Sequence, residues 1–344
     1  MLTIGYQPWG ATLDELVTAA RQAEAAGADV IWLPELHRSS TVTAAAVGAA
    51  TTTATVATGI TWAFTRSPMT TALEALDLDE LTGGRFRLGL GTGTRRLNEE
   101  WHGVPFAHPA DRLRETVEGI RMFWRNSATG EPIETTGPLR PMRITGYRRH
   151  TDHPVRPIPI YLAGVGPRMV RLAGEIADGW LAHELCTPFY IRERVLPAIH
   201  SGLDRAGRSR ADIDVTASAV CAVADDPDTA SALTAGHVGF YAGVRAYADF
   251  FDLHGVRDEH ERLAAALRAG VPAHELRASD RMRDALTIAG PPDQVLARLQ
   301  EYEGIADAVK ISPPVHGLAP DQIRRAQAAL IALIAEIRSR RGHG

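Results

Sequence analysis

The sequence predicts an α/β fold, a (β/α)8 TIM barrel with insertions after strands 4 and 7, and three observations lead there. Eight strand-length apolar runs alternate with segments of helical period. Each connection between successive runs is long enough to bring the chain back for parallel pairing. A length of 344 residues suits one such barrel, read as a single domain over 1–344 with insertions at about 95–155 and 225–300.

The first strand is 2–7, Leu2-Thr3-Ile4-Gly5-Tyr6-Gln7. Thr12 and Glu15 then form a capping box ahead of a helix with Leu13, Leu16, Val17, Ala20 and Ala23 on one face, which Gly27 ends. The run 29–33, Asp29-Val30-Ile31-Trp32-Leu33, is almost wholly apolar, as a parallel strand covered on both faces should be. A helix over 41–51 leads to strand three at 55–60. Ser67 caps the next helix, Pro68 opens it and Gly83-Gly84 closes it before strand four at 85–91. The first insertion follows, with an amphipathic helix over 112–124 and a hairpin around 135–144. Strand five is 157–162, and Pro167 starts the helix behind it. Strand six is 179–182, a helix covers 191–206, strand seven is 213–220 and strand eight 306–311. The second insertion, 230–286, reads as a lid or side wall, and a last helix spans 320–338.

Composition excludes several classes. Hydrophobic residues make up 45% and charged residues 23%, with a net charge of −4, so there is no basic field for nucleic acid. Two cysteines, Cys186 and Cys221, cannot build a disulfide scaffold or a four-cysteine zinc site. The longest apolar stretches, 44–50 and 328–335, fall far short of the roughly 20 residues that span a bilayer. The expected compartment is the cytoplasm, with no leader and no membrane partner. Of the basic residues only Lys310 is a lysine, which suggests a GC-rich genome.

In a barrel, chemistry sits at the C-terminal strand ends. There the sequence places Trp9 after strand one, Glu35 and His37 after strand two, Thr61 and Trp62 after strand three, Thr92, Gly93, Thr94 and Asn98 after strand four, and His183 after strand six. After strand five, Gly164-Val165-Gly166-Pro167 runs straight into a helix, whose free N–H groups and positive end suit a phosphate. An anionic, flat, aromatic cofactor fits such a mouth. Glu35 and His37 are the candidate acid–base pair; Trp9 and Trp62 shape a pocket or simply pack. Gly89-Leu90-Gly91-Thr92-Gly93-Thr94 lacks the third glycine of a dinucleotide fingerprint, and no helix is expected to start there. His150-Thr151-Asp152-His153 has no third ligand in view and reads as solvated loop, so no metal site is assigned. Hydrolase chemistry has no nucleophile–histidine arrangement to stand on.

Three stretches carry a family resemblance: Gly59-Ile60-Thr61-Trp62-Ala63-Phe64-Thr65-Arg66-Ser67-Pro68; the run from Leu78-Asp79-Glu80-Leu81-Thr82-Gly83-Gly84 to Gly93; and Pro159-Ile160-Tyr161-Leu162-Ala163-Gly164-Val165-Gly166-Pro167 onward to Gly179. With Trp101-His102-Gly103-Val104-Pro105-Phe106, the chain resembles the luciferase-like monooxygenase superfamily over nearly its whole length, and within it the F420-dependent oxidoreductases such as methylene-tetrahydromethanopterin reductase.

The resemblance implies a bulge with a non-prolyl cis peptide at Gly59-Ile60, against which a deazaflavin ring rests. It implies that Thr61, Thr92, Gly93 and Asn98 flank the ring or its side chain and that Ala163, Gly164, Val165 and Gly166 hold the phosphate; His183, by its place at the end of strand six, is either a cofactor contact or a satisfied core histidine. Arg66, Arg95, Arg96 and Arg168 are placed for an acidic tail. The sugar-phosphate dehydrogenases of this branch have histidine where Leu36 stands and glutamate where Thr94 stands, so a different, apolar or aromatic substrate is expected, bounded by Trp9, Trp62 and Thr94. The function so implied is hydride transfer between C5 of coenzyme F420 and an organic small molecule, by a homodimer. An FMN-dependent monooxygenase of the same fold is the alternative, and a non-catalytic flavin-binding protein a third reading.

Overall fold

The computed structural model describes residues 2–341 except 152 and 154. Eight parallel strands close into a barrel: β1 (Thr3–Tyr6), β2 (Val30–Leu33), β3 (Thr55–Thr58), β4 (Phe86–Gly91), β5 (Ile160–Ala163), β6 (Gly179–Leu181), β7 (Asp214–Val223) and β8 (Ala308–Ser312), with β8 pairing back onto β1. The longer helices are α1 (Leu13–Ala26), α2 (Ser40–Ala50), α3 (Pro68–Leu81), α4 (Pro109–Thr129), α5 (Pro167–Ile176), α6 (Leu196–Ala206), α7 (Pro227–Ala242), α8 (Ala248–Leu253), α9 (Arg257–Arg268), α10 (Asp280–Leu286), α11 (Pro292–Gln300) and α12 (Pro320–Arg341).

Local sequence explains the boundaries. Thr12 accepts from Glu15 N and Ser67 from Thr70 N, each satisfying a donor that the first helical turn leaves free. Gly27 closes α1 at φ 105°, a conformation that favours glycine. Strand residues alternate as the pleat dictates: Val30, Trp32, Ala57, Tyr161 and Leu181 form a small cluster inside the barrel, while Ile4, Ile31, Leu33, Val56, Leu88 and Ile311 join the larger core under the helices.

Several features depart from the sequence reading. Strand three stops at Thr58, not residue 60, because the backbone turns there. A helical turn does begin at residue 95 and continues as a π-turn over Leu97–Trp101. The amphipathic helix of the first insertion is longer than expected, and the hairpin pairs Ile133–Glu134 with Arg143–Ile144. In the second insertion a short strand, Ile288–Gly290, extends the sheet by pairing with Cys221–Val223. β7 therefore outruns its neighbours and carries α7 back across the barrel mouth, where His237 and Tyr241 meet the end of β6.

The two ends of the described chain are stitched together. Gln327 on α12 accepts from Tyr6 OH at 2.9 Å and Trp9 N at 2.8 Å, and donates to Trp9 O at 3.2 Å.

Candidate active site

β3 pairs with β4 at Val56↔Phe86, and a two-residue strand just beyond it, Thr61–Trp62, pairs with β4 at Thr61↔Leu90. The offset between partners falls from 30 to 29 between those points, so the chain running on from β3 contains one extra residue, a bulge. The Gly59–Ile60 peptide within it is cis, where the family resemblance put it. The Thr58 side chain replaces the missing backbone pairing, donating to Gly89 O and accepting from Gly89 N, both at 2.9 Å. Thr61, fully buried, bonds Ser40 Oγ at 2.8 Å.

Glu35 leaves the end of β2 and fastens this bulge. It accepts from Trp62 N at 2.8 Å and from both terminal nitrogens of Arg66, at 2.8 and 2.6 Å. Arg66 also faces Glu74 at 3.3 Å. Arg66, half-buried, is thereby held between two carboxylates; Arg95 and Arg96 pair with Glu99 and Glu100. Trp62 is buried, with His102 against its ring edge at 5.1 Å. His37 is exposed beyond Glu35, whose carboxylate is engaged by Trp62 N and Arg66.

At the end of β4, Gly93 takes φ 66° and Thr94 accepts from Leu97 N, starting the π-turn. Asn98, wholly buried, donates to Thr92 O at 2.7 Å and Thr94 O at 2.8 Å, while its Oδ1 has no partner among the described residues. At the end of β5, Ala163, Gly164 and Val165 are partly open and Gly166 is exposed. Gly166 caps α5 with no side-chain bond, and a Cβ there would meet no atom within 4 Å. Gly164 differs: a Cβ would lie 2.7 Å from that of Met169.

A third group was not assembled from sequence. Glu184, next to His183, accepts from His237 Nε2 and Ser312 Oγ at 2.9 Å and from Tyr241 OH at 3.3 Å, with Lys310 Nζ at 3.5 Å. Burial by itself would raise its pKa, but the Lys310 ammonium and His237 hold it well below the usual carboxylate range. His183 stands among Tyr241, Tyr247 and Phe250, with ring centroids 4.5, 4.2 and 5.4 Å away. Its Nδ1 accepts from Leu185 N, and burial pushes its pKa down to about 3, so the ring is neutral. His316 stacks on Phe240 at 3.8 Å, and burial likewise lowers it to about 3.

Trp9 is held through its backbone by Gln327, its ring 6.0 Å from the Arg324 guanidinium. Of the His150–His153 stretch, residue 152 lies outside the described residues, and His153 turns onto Asp79 at 3.4 Å. Among the described residues no three His, Cys, Asp or Glu side chains converge as metal ligands, and no helix is long and apolar enough to cross a membrane.

The fit to a flavin-like group is favourable on the chain's own terms. A buried, unpartnered acceptor at Asn98, a bulge beyond β3, and a helix end with empty space around its capping glycine are compatible with a polar ring and an anion.

Comparison with known proteins agrees with this geometry. The profile of the luciferase-like monooxygenase family matches residues 3–308. A putative coenzyme F420-dependent oxidoreductase of Mycobacterium tuberculosis is 31% identical over 330 residues, covering 88% of this chain and 91% of that one. The structure of the coenzyme F420 dependent tetrahydromethanopterin reductase from Methanopyrus kandleri superposes with a TM-score of 0.79 at 25% identity, covering 97% of each chain. The FMN-bound oxygenating constituent of the 3,6-diketocamphane monooxygenase of Pseudomonas putida shares the fold, with a TM-score of 0.68 at 18% identity and 98% and 99% of the two chains covered. The chain belongs to the luciferase-like monooxygenase family.

Proposed function

We propose that this protein is an oxidoreductase that uses coenzyme F420 to exchange hydride with an organic small molecule. The observation that carries the reading is the open N-terminus of α5 at Gly166, set at the same barrel mouth as the β3 bulge. When bound, the deazaflavin supplies or accepts hydride at C5. The chain's residues do the rest. Backbone N–H groups at the start of α5 would hold the phosphate, and the bulge would support the ring. Asn98 Oδ1 offers it an acceptor. Trp62 and His102 would wall the substrate side with apolar and aromatic surface, and Thr94 is fixed in the π-turn close by. Glu35 is a positioning residue in this reading, its carboxylate committed to Trp62 N and Arg66. The names of the relatives support F420 over FMN. A homodimer acting in the cytoplasm completes the proposal, and sedimentation of the purified protein checks the first part of it.

Titration with F420 and, separately, FMN tests the cofactor by quenching of tryptophan fluorescence. The expected result is saturable binding of F420 at least about tenfold tighter than FMN, a difference of roughly 1.4 kcal/mol. Preference for FMN would replace hydride transfer with monooxygenation, and binding of neither would overturn the assignment.

A further inference from the structure

Among 37 lysine and arginine residues the chain has one lysine. Among the described residues it is also the one member of that set that is buried: Lys310, 4% exposed, on β8. Its register partners are Gly5 on β1 and Ser218 on β7, so it lies in the barrel wall with its side chain rising toward the mouth. The ammonium donates to Gln7 Oε1 at 2.9 Å and faces Glu184 Oε1 at 3.5 Å. A carboxylate offers about four lone-pair sites. Those of Glu184 are engaged by Lys310, Ser312, His237 and Tyr241, so it fixes the ammonium and has no free site for a substrate proton.

Two unpartnered polar groups lie beside Lys310. Ser218 Oγ and Trp32 Nε1 are buried without partners among the described residues. A Cβ on Gly5 would sit 2.6 Å from Trp32 Nε1 and 3.4 Å from Lys310 Cα, so the indole N–H is next to the lysine's own strand position. Ser218 Oγ can donate or accept, whereas the Trp32 indole N–H can only donate, and a buried donor without a partner calls for an acceptor. The residue type is informative as well. A guanidinium holds a charge but does not release its proton, whereas an ammonium does both.

We infer that Lys310 is the proton donor of the reaction, seated against the oxygen of a carbonyl substrate. The inference rests on the hydride-transfer reading above. In the reducing direction the carbonyl carbon gains the hydride that the reduced deazaflavin would supply, and its π pair moves to oxygen. That oxygen takes a proton from Lys310 Nζ, and the neutral amine regains one from water. Glu184 and Gln7 aim the ammonium and are positioning residues.

The single lysine makes a direct test possible, because protein labelled with 15N-lysine gives one Nζ signal. The probes are acetone, cyclohexanone and acetophenone, added to the free protein and to protein with F420. A shift of the Nζ signal with any probe is expected. Lys310→Ala should bind F420 within about twofold of wild type yet, supplied with reduced F420, reduce a responding ketone about 100-fold more slowly, with partial rescue by ethylamine. Lys310→Arg, which keeps the charge and the pair with Glu184, should stay equally slow, whereas a merely structural ion pair would tolerate it. A silent signal in protein that binds F420, or wild-type turnover in Lys310→Ala, overturns the inference and leaves the cofactor reading standing. A responding signal in protein that takes up no F420 upholds the carbonyl seat and sinks the cofactor. Silence without F420 binding overturns both.

Discussion

Gly166 and Gly164 are two residues apart and respond to different constraints. The space around Gly166 is empty, whereas Gly164 is crowded by Met169. Gly166→Glu should therefore fold with an unchanged melting temperature but lose F420 affinity by roughly 100-fold, since a carboxylate would occupy the positive end of α5. Unchanged affinity in an isothermal titration would remove the phosphate from that helix. Glu35→Gln is expected to act mainly on stability. It breaks a largely buried bidentate pair with Arg66, for a loss of about 2–4 kcal/mol in urea unfolding. The pH profile of turnover should stay as in wild type, and a lost limb would restore Glu35 as an acid or base. The start of α5 at Gly166 was legible because the proline that follows suits the first position of a helix. Glu35 was legible as a mouth residue but not as a bound one, because Arg66 comes 31 residues later in the chain.

The elements that matter most are the bulged β3 and the helix α7. Strand runs and caps were readable because buried parallel strands are continuously apolar and helix starts need a side-chain acceptor. The extra residue of β3 left no trace in hydrophobicity, since it is expressed in register with β4. The strand Ile288–Gly290 has three residues, too short for a period. α7 belongs to the insertion that the sequence left unassigned, and its place is set by contact: a Cβ on Gly236 would strike the carbonyl oxygen of His316, and one on Gly239 would lie 2.5 Å from that of Leu276. Gly236→Ala should push α7 outward, costing about 1–3 kcal/mol in thermal or urea unfolding. His237 and Tyr241 would move off Glu184 with it. A variant as stable as wild type would show that α7 rides loosely on the mouth.

Across the whole molecule, six side chains, Gln7, Glu184, His237, Tyr241, Lys310 and Ser312, share one largely buried network. Lys310 stood out in the sequence as the single lysine, but only barrel closure brings β8 between β7 and β1. The network and its aromatic surround shape stability against pH. His183 and His316 titrate near 3 when folded against 6.5 as the ordinary value, because burial disfavours their charged forms. The unfolded chain thus binds more protons between those limits, so stability rises with pH from about 3 to about 6.5 and this contribution is complete above it. Each histidine adds at most about 1.4 kcal/mol per pH unit. His316→Gln should flatten urea midpoints measured between pH 4.5 and 6.5 toward that extent, and an unaltered slope would show His316 to be charged in the fold. Finally, the Gln327 clamp reaches Tyr6 and Trp9 across 321 and 318 residues of sequence. Because contacts so far apart form only when nearly the whole chain is available, the first loop of the mouth acquires its shape last during synthesis, and a nascent barrel has no finished ligand site until α12 has emerged and docked.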